Sequence, residues 1–170
     1  MGIWDWLTGG AADASAAQPE TAKAPTAADI EAALDDVEKL VADPAVPAVV
    51  RARTLTVTRT VRNTLPRLGL LGLGSYDAYS VVATATDYLP EAIGGYLRLP
   101  RDWADSRPVD GGKTPLLLLV DQLDLLGVTM DSIYDAANTT DAAALITQGR
   151  FLQEKFGHAQ APELNLGQQP

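Results

Sequence analysis

PAVVRARTLTVTRTVRNTL, residues 47–65, decides the fold, because two periods compete within it. Leu55, Val57 and Val61 alternate among threonines as a strand would, and β-branched residues suit a pleated surface. Val50, Thr54, Val57, Val61 and Leu65 also line up at helical spacing, and Pro47 fits the first turn of a helix. A lone strand here has no partner elsewhere in the chain, so its backbone groups would go unpaired. The segment therefore predicts a helix, and with it an all-α protein.

The flanking segments agree. In TAADIEAALDDVEKLVAD (26–43), Thr26 caps the start with Asp29 three places on, and Ile30, Ala33, Leu34, Val37, Leu40 and Val41 keep helical spacing until Pro44. The glycines of RLGLLGLGS (67–75) break the pattern, and Ser75 is placed to cap a third helix, YDAYSVVATATDY. Pro90 is expected to kink or restart it, since proline lacks a backbone donor and crowds the preceding turn. After a turn-rich loop, Thr114 and Pro115 open the longest helix. Its apolar face comprises Leu116, Leu119, Leu123, Leu126, Met130, Ile133, Tyr134 and Ala137. Asn138 or Thr139 is expected to end it. Thr140 then caps a last helix, closed by Gly157 in the left-handed conformation.

These elements predict an antiparallel helical bundle of five to six helices over residues 26–157, antiparallel because the loops are short. Residues 11–25, rich in alanine with proline and no large apolar side chain, predict a flexible linker. Residues 158–170 predict a disordered tail. Residues 1–10, MGIWDWLTGG, stand apart as an aromatic N-terminal peptide.

Composition narrows the function classes. Aromatics are 6% of the chain while alanine and leucine abound, which favours helices. The chain has no cysteine, which excludes disulfides, thiolate catalysis and cysteine zinc sites. A net charge of -9 disfavours nonspecific attraction to nucleic acid or anionic lipid. Without a run of about 20 apolar residues or a basic, apolar leader, the chain reads as cytoplasmic.

From Tyr88 onward, DYLPEAIGGYLRLP, a glycine turn, a long helix rich in leucine and aspartate, and AALITQGRFLQEKFG resemble the C-terminal half of the bromo-chloro-indolyl phosphate hydrolysis (XpaC-like) proteins. The motif is Tyr88, Leu89 and Pro90 with Tyr96 beyond. The resemblance implies a helical cytoplasmic or membrane-associated accessory protein, linked to toxic-anion (tellurite) resistance proteins. It transfers no catalytic residue.

A phosphoesterase, the activity that the family name invites, needs a nucleophile or a metal-bound water, and groups to hold oxyanions. No catalytic residue, metal ligand set or cofactor site is legible. His158, the single histidine, falls in the predicted tail. In DGGKTP (110–115), a phosphate loop would require glycine where Arg107 stands, so the segment reads as a turn and helix cap. Asp121, Asp124, Asp131 and Asp135 lie within about 80° of one another on the long helix and form an acidic face. Arg51, Arg59 and Arg62 share one side of the second helix. They are candidates for an anion or an acidic partner, or for pairing with Glu31, Asp35, Asp36 and Glu38 of the first helix.

The N-terminal peptide carries Ile3, Trp4, Trp6 and Leu7, too few residues for a stable isolated helix. Three acceptors are open to it: its own bundle, a membrane surface, and a protein partner's groove. The third suits a tethered aromatic anchor best. The sequence thus predicts a non-catalytic interaction protein, with a phosphoesterase and a protein peripheral to the inner face of the membrane as alternatives.

Overall fold

The computed structural model describes residues 24–69, 71 and 75–157, so the N-terminal peptide with Trp4 and Trp6 and the tail with His158 lie outside it. Helix α1 (Ala27–Ala42) starts where the sequence places it. The Thr26 backbone donates to the Asp29 carboxylate at 2.8 Å, and the Asp29 amide donates to the Thr26 hydroxyl at 3.2 Å, a reciprocal capping box. Ile30, Leu34, Val37 and Val41 form its buried stripe.

The ambiguous segment is helix α2 (Ala48–Thr64). Its threonines are compatible with a helix because their hydroxyls bond locally. Thr56, Thr60 and Thr64 each donate to the carbonyl four residues back, at 3.1, 3.2 and 2.8 Å. The buried face takes Val50, Thr54, Val57, Thr58, Val61 and Thr64, which keeps the helical stripe, adds Thr58 and Thr64 to it, and leaves Leu65 partly buried just beyond the helix. Helices α1 and α2 form an antiparallel hairpin in which Glu31 reaches Arg62 and Arg51 reaches the Val41 carbonyl.

Helix α3 (Tyr76–Ala83) begins at Ser75, whose hydroxyl accepts from the Ala78 amide at 3.1 Å. The helix does not stop at Pro90. It widens into a π turn (Thr84–Tyr88) and continues as α4 (Leu89–Leu97), with the Leu89 amide bonded to the Thr84 carbonyl five residues back. The wider turn lies just where the proline ring would crowd the preceding coil, so the predicted kink takes the form of a π bulge. A short α5 (Arg101–Ser106) follows. The chain then reverses at Gly111 and Gly112, whose φ values of 52° and 78° lie in the left-handed region that favours glycine.

Helix α6 (Pro115–Phe156) runs 42 residues, opened by Thr114, whose hydroxyl accepts from the Leu117 amide at 3.3 Å. The sequence reading divides this stretch in two near Asn138–Thr140, and here the structure corrects it. The Thr139 and Thr140 hydroxyls fold back onto the Asp135 and Ala136 carbonyls at 2.9 and 3.1 Å, so they sit within the helix instead of capping a new one. Gly157 ends the helix in the right-handed region, φ −65°, and not as a left-handed stop.

The protein is all-α, and its core joins α1, α2, the π turn and α4 to Leu119, Leu123, Met130 and Ile133 of α6. One pairing departs from the antiparallel expectation. Arg53 meets Asp124, Thr60 meets Asp131 and Arg67 meets Asp141, so partner numbers rise together and α2 runs parallel to α6. Short loops fix antiparallel order only between consecutive helices; α3, α4 and α5 carry the chain back before α6 begins.

Candidate functional site

Most of the charged residues singled out in the sequence are held by partners within the fold. Arg62 is the clearest case: Nε donates to Glu31 at 2.9 Å, Nη2 to Asp35 at 2.6 Å, and Nη1 to Glu38. Burial alone would raise the Glu38 pKa, but the Thr58 hydroxyl and Arg62 outweigh it and bring the carboxyl below its ordinary value. Glu38 first and then Glu31 push Arg62 up against the opposing effect of its own burial. Arg51 closes the end of α1, donating to the Val41 and Asp43 carbonyls at 2.8 and 3.0 Å. Arg59 is exposed and makes no ion pair among the described residues.

The acidic face is divided in the same way. Asp121 accepts from Lys113, Asp124 from Arg53 at 2.7 Å, and Asp131 from the Thr60 hydroxyl at 2.9 Å. Asp135 is exposed. Two of the four aspartates, Asp124 and Asp131, therefore align α6 with α2, while Asp121 holds the turn that leads into α6. Sequence spacing showed that they share a face but not that α2 lies along it. Among the described residues, no group of three or more His, Asp or Glu side chains is placed to hold a metal ion.

What the polar pairing leaves over is apolar. Helices α4 and α6 flank a groove of about 530 Å³ lined by Tyr88, Ala92, Tyr96, Leu118, Leu125 and Leu126, with Glu91 on its rim. At its floor Tyr96 is 4% exposed; its hydroxyl donates to Asp105 at 2.6 Å and accepts from Arg101 at 2.7 Å. Arg101 also lies 4.6 Å from the ring centre. Burial, then the bond to Asp105, pushes the Tyr96 phenol up to about 12. Tyr88 at the rim is raised as well, chiefly by the adjacent Tyr79 hydroxyl.

Leu125 in the groove lining is 68% exposed, Val128 beyond it is 69% exposed, and Tyr76 and Tyr79 stand out on α3. Sequence reasoning missed this surface because Tyr88 and Tyr96 entered it only as a motif, and Leu125 breaks the helical stripe by one position. That extra leucine was the available signal. No helix among the described residues is long and apolar enough to cross a membrane. Compared with known proteins, the chain matches no family model, no curated protein and no solved structure.

Proposed function

We propose that this chain is a non-catalytic helical interaction protein that docks an apolar, basic-flanked segment of a protein partner along the α4–α6 groove, aided by its own N-terminal peptide. One observation carries the reading. The charged side chains are mostly satisfied by the fold itself, whereas Leu125, Val128 and the Tyr88 rim remain uncovered at a groove of about 530 Å³. Charge sets the partner's chemistry: Glu91 rims the groove and the chain carries -9, so basic flanks on the incoming segment complement it. Ile3, Trp4, Trp6 and Leu7 supply a second, aromatic anchor on a linker of about fifteen residues.

The accompanying pathway, toxic-anion resistance or envelope stress, rests on the resemblance around Tyr88, Leu89, Pro90 and Tyr96. Deleting the gene tests it directly: unchanged tellurite sensitivity removes the pathway and leaves the docking reading standing.

For the docking itself, titration calorimetry with a synthetic helical peptide bearing a leucine stripe and terminal lysines gives the readout. Binding weakened at least about tenfold by Leu125→Glu with Val128→Glu, and by lysine-to-glutamate exchange in the peptide, is the expected result. Equal binding to the variant overturns the groove. Partners captured identically by the intact chain and by one lacking residues 1–10 overturn the role of the N-terminal peptide.

A further inference from the structure

Helix α6 outruns the bundle. Among the described residues its last polar link to another element is Asp141, which Arg67, in the turn after α2, reaches at 3.3 Å, and every residue of 139–157 is exposed. The overrun from Asp141 to Phe156 is about 24 Å of helix with no neighbour among the described residues. A free helix of that length is marginal in water, and this one exposes Leu145 at 73%, Ile146 at 57%, Leu152 at 44% and Phe156 at 58%.

The apolar residues are ordered. Ala142, Leu145, Gly149, Leu152 and Phe156 follow one another at intervals of three, four, three and four, the spacing of a coiled-coil seam. Ile146 flanks the seam on one side. We propose that this extension is a homodimerisation element: two copies of the chain pair antiparallel along residues 142–156.

Three features favour a second copy in that orientation. The first is size. Antiparallel, with Leu145 opposite Phe156 of the other copy, Leu152 falls opposite Gly149, so a large side chain meets the space left by glycine in two symmetric layers. Parallel pairing sets Gly149 against Gly149 and Phe156 against Phe156, leaving a gap in one layer and crowding in another. The second is charge. The extension holds two acids, Asp141 and Glu154, and two bases, Arg150 and Lys155, whereas the whole chain is at -9. A neutral arm brings two acidic bodies together without repulsion along the seam, and antiparallel pairing holds the bodies at opposite ends. The third is area. Covering Leu145, Ile146, Leu152 and Phe156 on both copies buries roughly 1,000 Å², the lower bound for a specific interface. The dimer is accordingly weak and concentration-dependent.

Sedimentation equilibrium of the full chain, from about 1 to about 500 µM, brackets the affinity that such an area supports. A monomer–dimer equilibrium is expected, weakened at least about 100-fold by Leu145→Asp with Leu152→Asp. Both positions are exposed, so the double variant keeps its helical circular dichroism, which is recorded alongside. A monomer throughout the range, or a dimer indifferent to the double variant, overturns the proposal. Orientation has its own readout, because the chain contains no cysteine. Mixing Leu145→Cys with Phe156→Cys chains under oxidation should give the mixed disulfide, while Leu145→Cys alone should not cross-link, its two copies lying about 16 Å apart. Efficient self-linking of Leu145→Cys overturns the antiparallel arrangement.

Discussion

Arg53 of α2 and Asp124 of α6 lie 71 residues apart in sequence and 2.7 Å apart in space, and the same offset of 71 recurs at Thr60 and Asp131. Two contacts at one offset fix a parallel register. Both partners of the first pair are substantially exposed, so its own contribution is small, within about 1 kcal/mol. The apolar faces beneath supply the stability, and the polar pairs choose among registers.

Gly127 tests how closely the two helices approach. A Cβ there would meet Val57 Cγ2 at 3.8 Å, an ordinary contact. Gly127→Ala should therefore stabilise the protein by about 0.5–1 kcal/mol in urea unfolding, since it removes glycine's helix penalty and adds a contact. Gly127→Leu should destabilise by about 1–3 kcal/mol because Val57 must move. Loss of stability on Gly127→Ala would place α2 and α6 closer than this register allows.

Arg62 holds three carboxylates from one face of α1. Arg62→Ala leaves Glu31, Asp35 and Glu38 facing one another and should cost about 2 kcal/mol at pH 7. Its pH dependence follows from Glu38, whose folded pKa lies below the ordinary 4.5. The stabilisation is present above 4.5 and is lost as pH falls through the lower folded value. Urea unfolding at pH 7, 4 and 3 should show the gap between wild type and variant narrowing with acidity; a constant gap would mean that Arg62 acts through its aliphatic stem.

Most of the fold was legible where local chemistry determines it. Thr26, Ser75 and Thr114 cap as their spacing indicates, and the helical stripe of α2 prevails over its strand-like alternation. Two features were not legible for physical reasons. Thr139 and Thr140 have equal chemical grounds to cap a helix or to bond back within one, and sequence does not choose between them. The parallel pairing of α2 with α6 depends on the route through three intervening helices. The candidate site shows the same divide. Shared faces of Arg51, Arg59 and Arg62, and of Asp121, Asp124, Asp131 and Asp135, follow from helical period alone. Which of them are already occupied follows only from packing.

Tyr96 predicts an alkaline limit. Its ordinary pKa of 10.0 applies to the unfolded chain, and the folded value is pushed up to about 12. As pH climbs, the unfolded state gives up its proton first, so stability holds below pH 10 and falls between 10 and 12, with a slope of up to about 1.4 kcal/mol per pH unit from this group. Tyr96→Phe should cost about 1–2 kcal/mol at pH 7, through loss of the Asp105 and Arg101 bonds, yet lack that slope. Parallel alkaline slopes for both proteins would contradict the assignment.

Thr54 offers the opposite sign. It is fully buried in the face of α2 that meets the core, and its hydroxyl has no hydrogen-bond partner among the described residues, unlike Thr56, Thr60 and Thr64, which bond back along the helix. A buried hydroxyl left unpaired costs about 1–3 kcal/mol, and valine has nearly the same shape without it. Thr54→Val should therefore raise stability by about 1 kcal/mol and shift the urea midpoint upward with an unchanged m-value. Thr54→Ala removes the same hydroxyl but also a methyl from a packed site, so its gain is offset by the cavity it opens. The ordering Val above Thr, with Ala no better than Thr, distinguishes an orphaned hydroxyl from one paired with an internal water, for which Thr54→Val would lower stability instead.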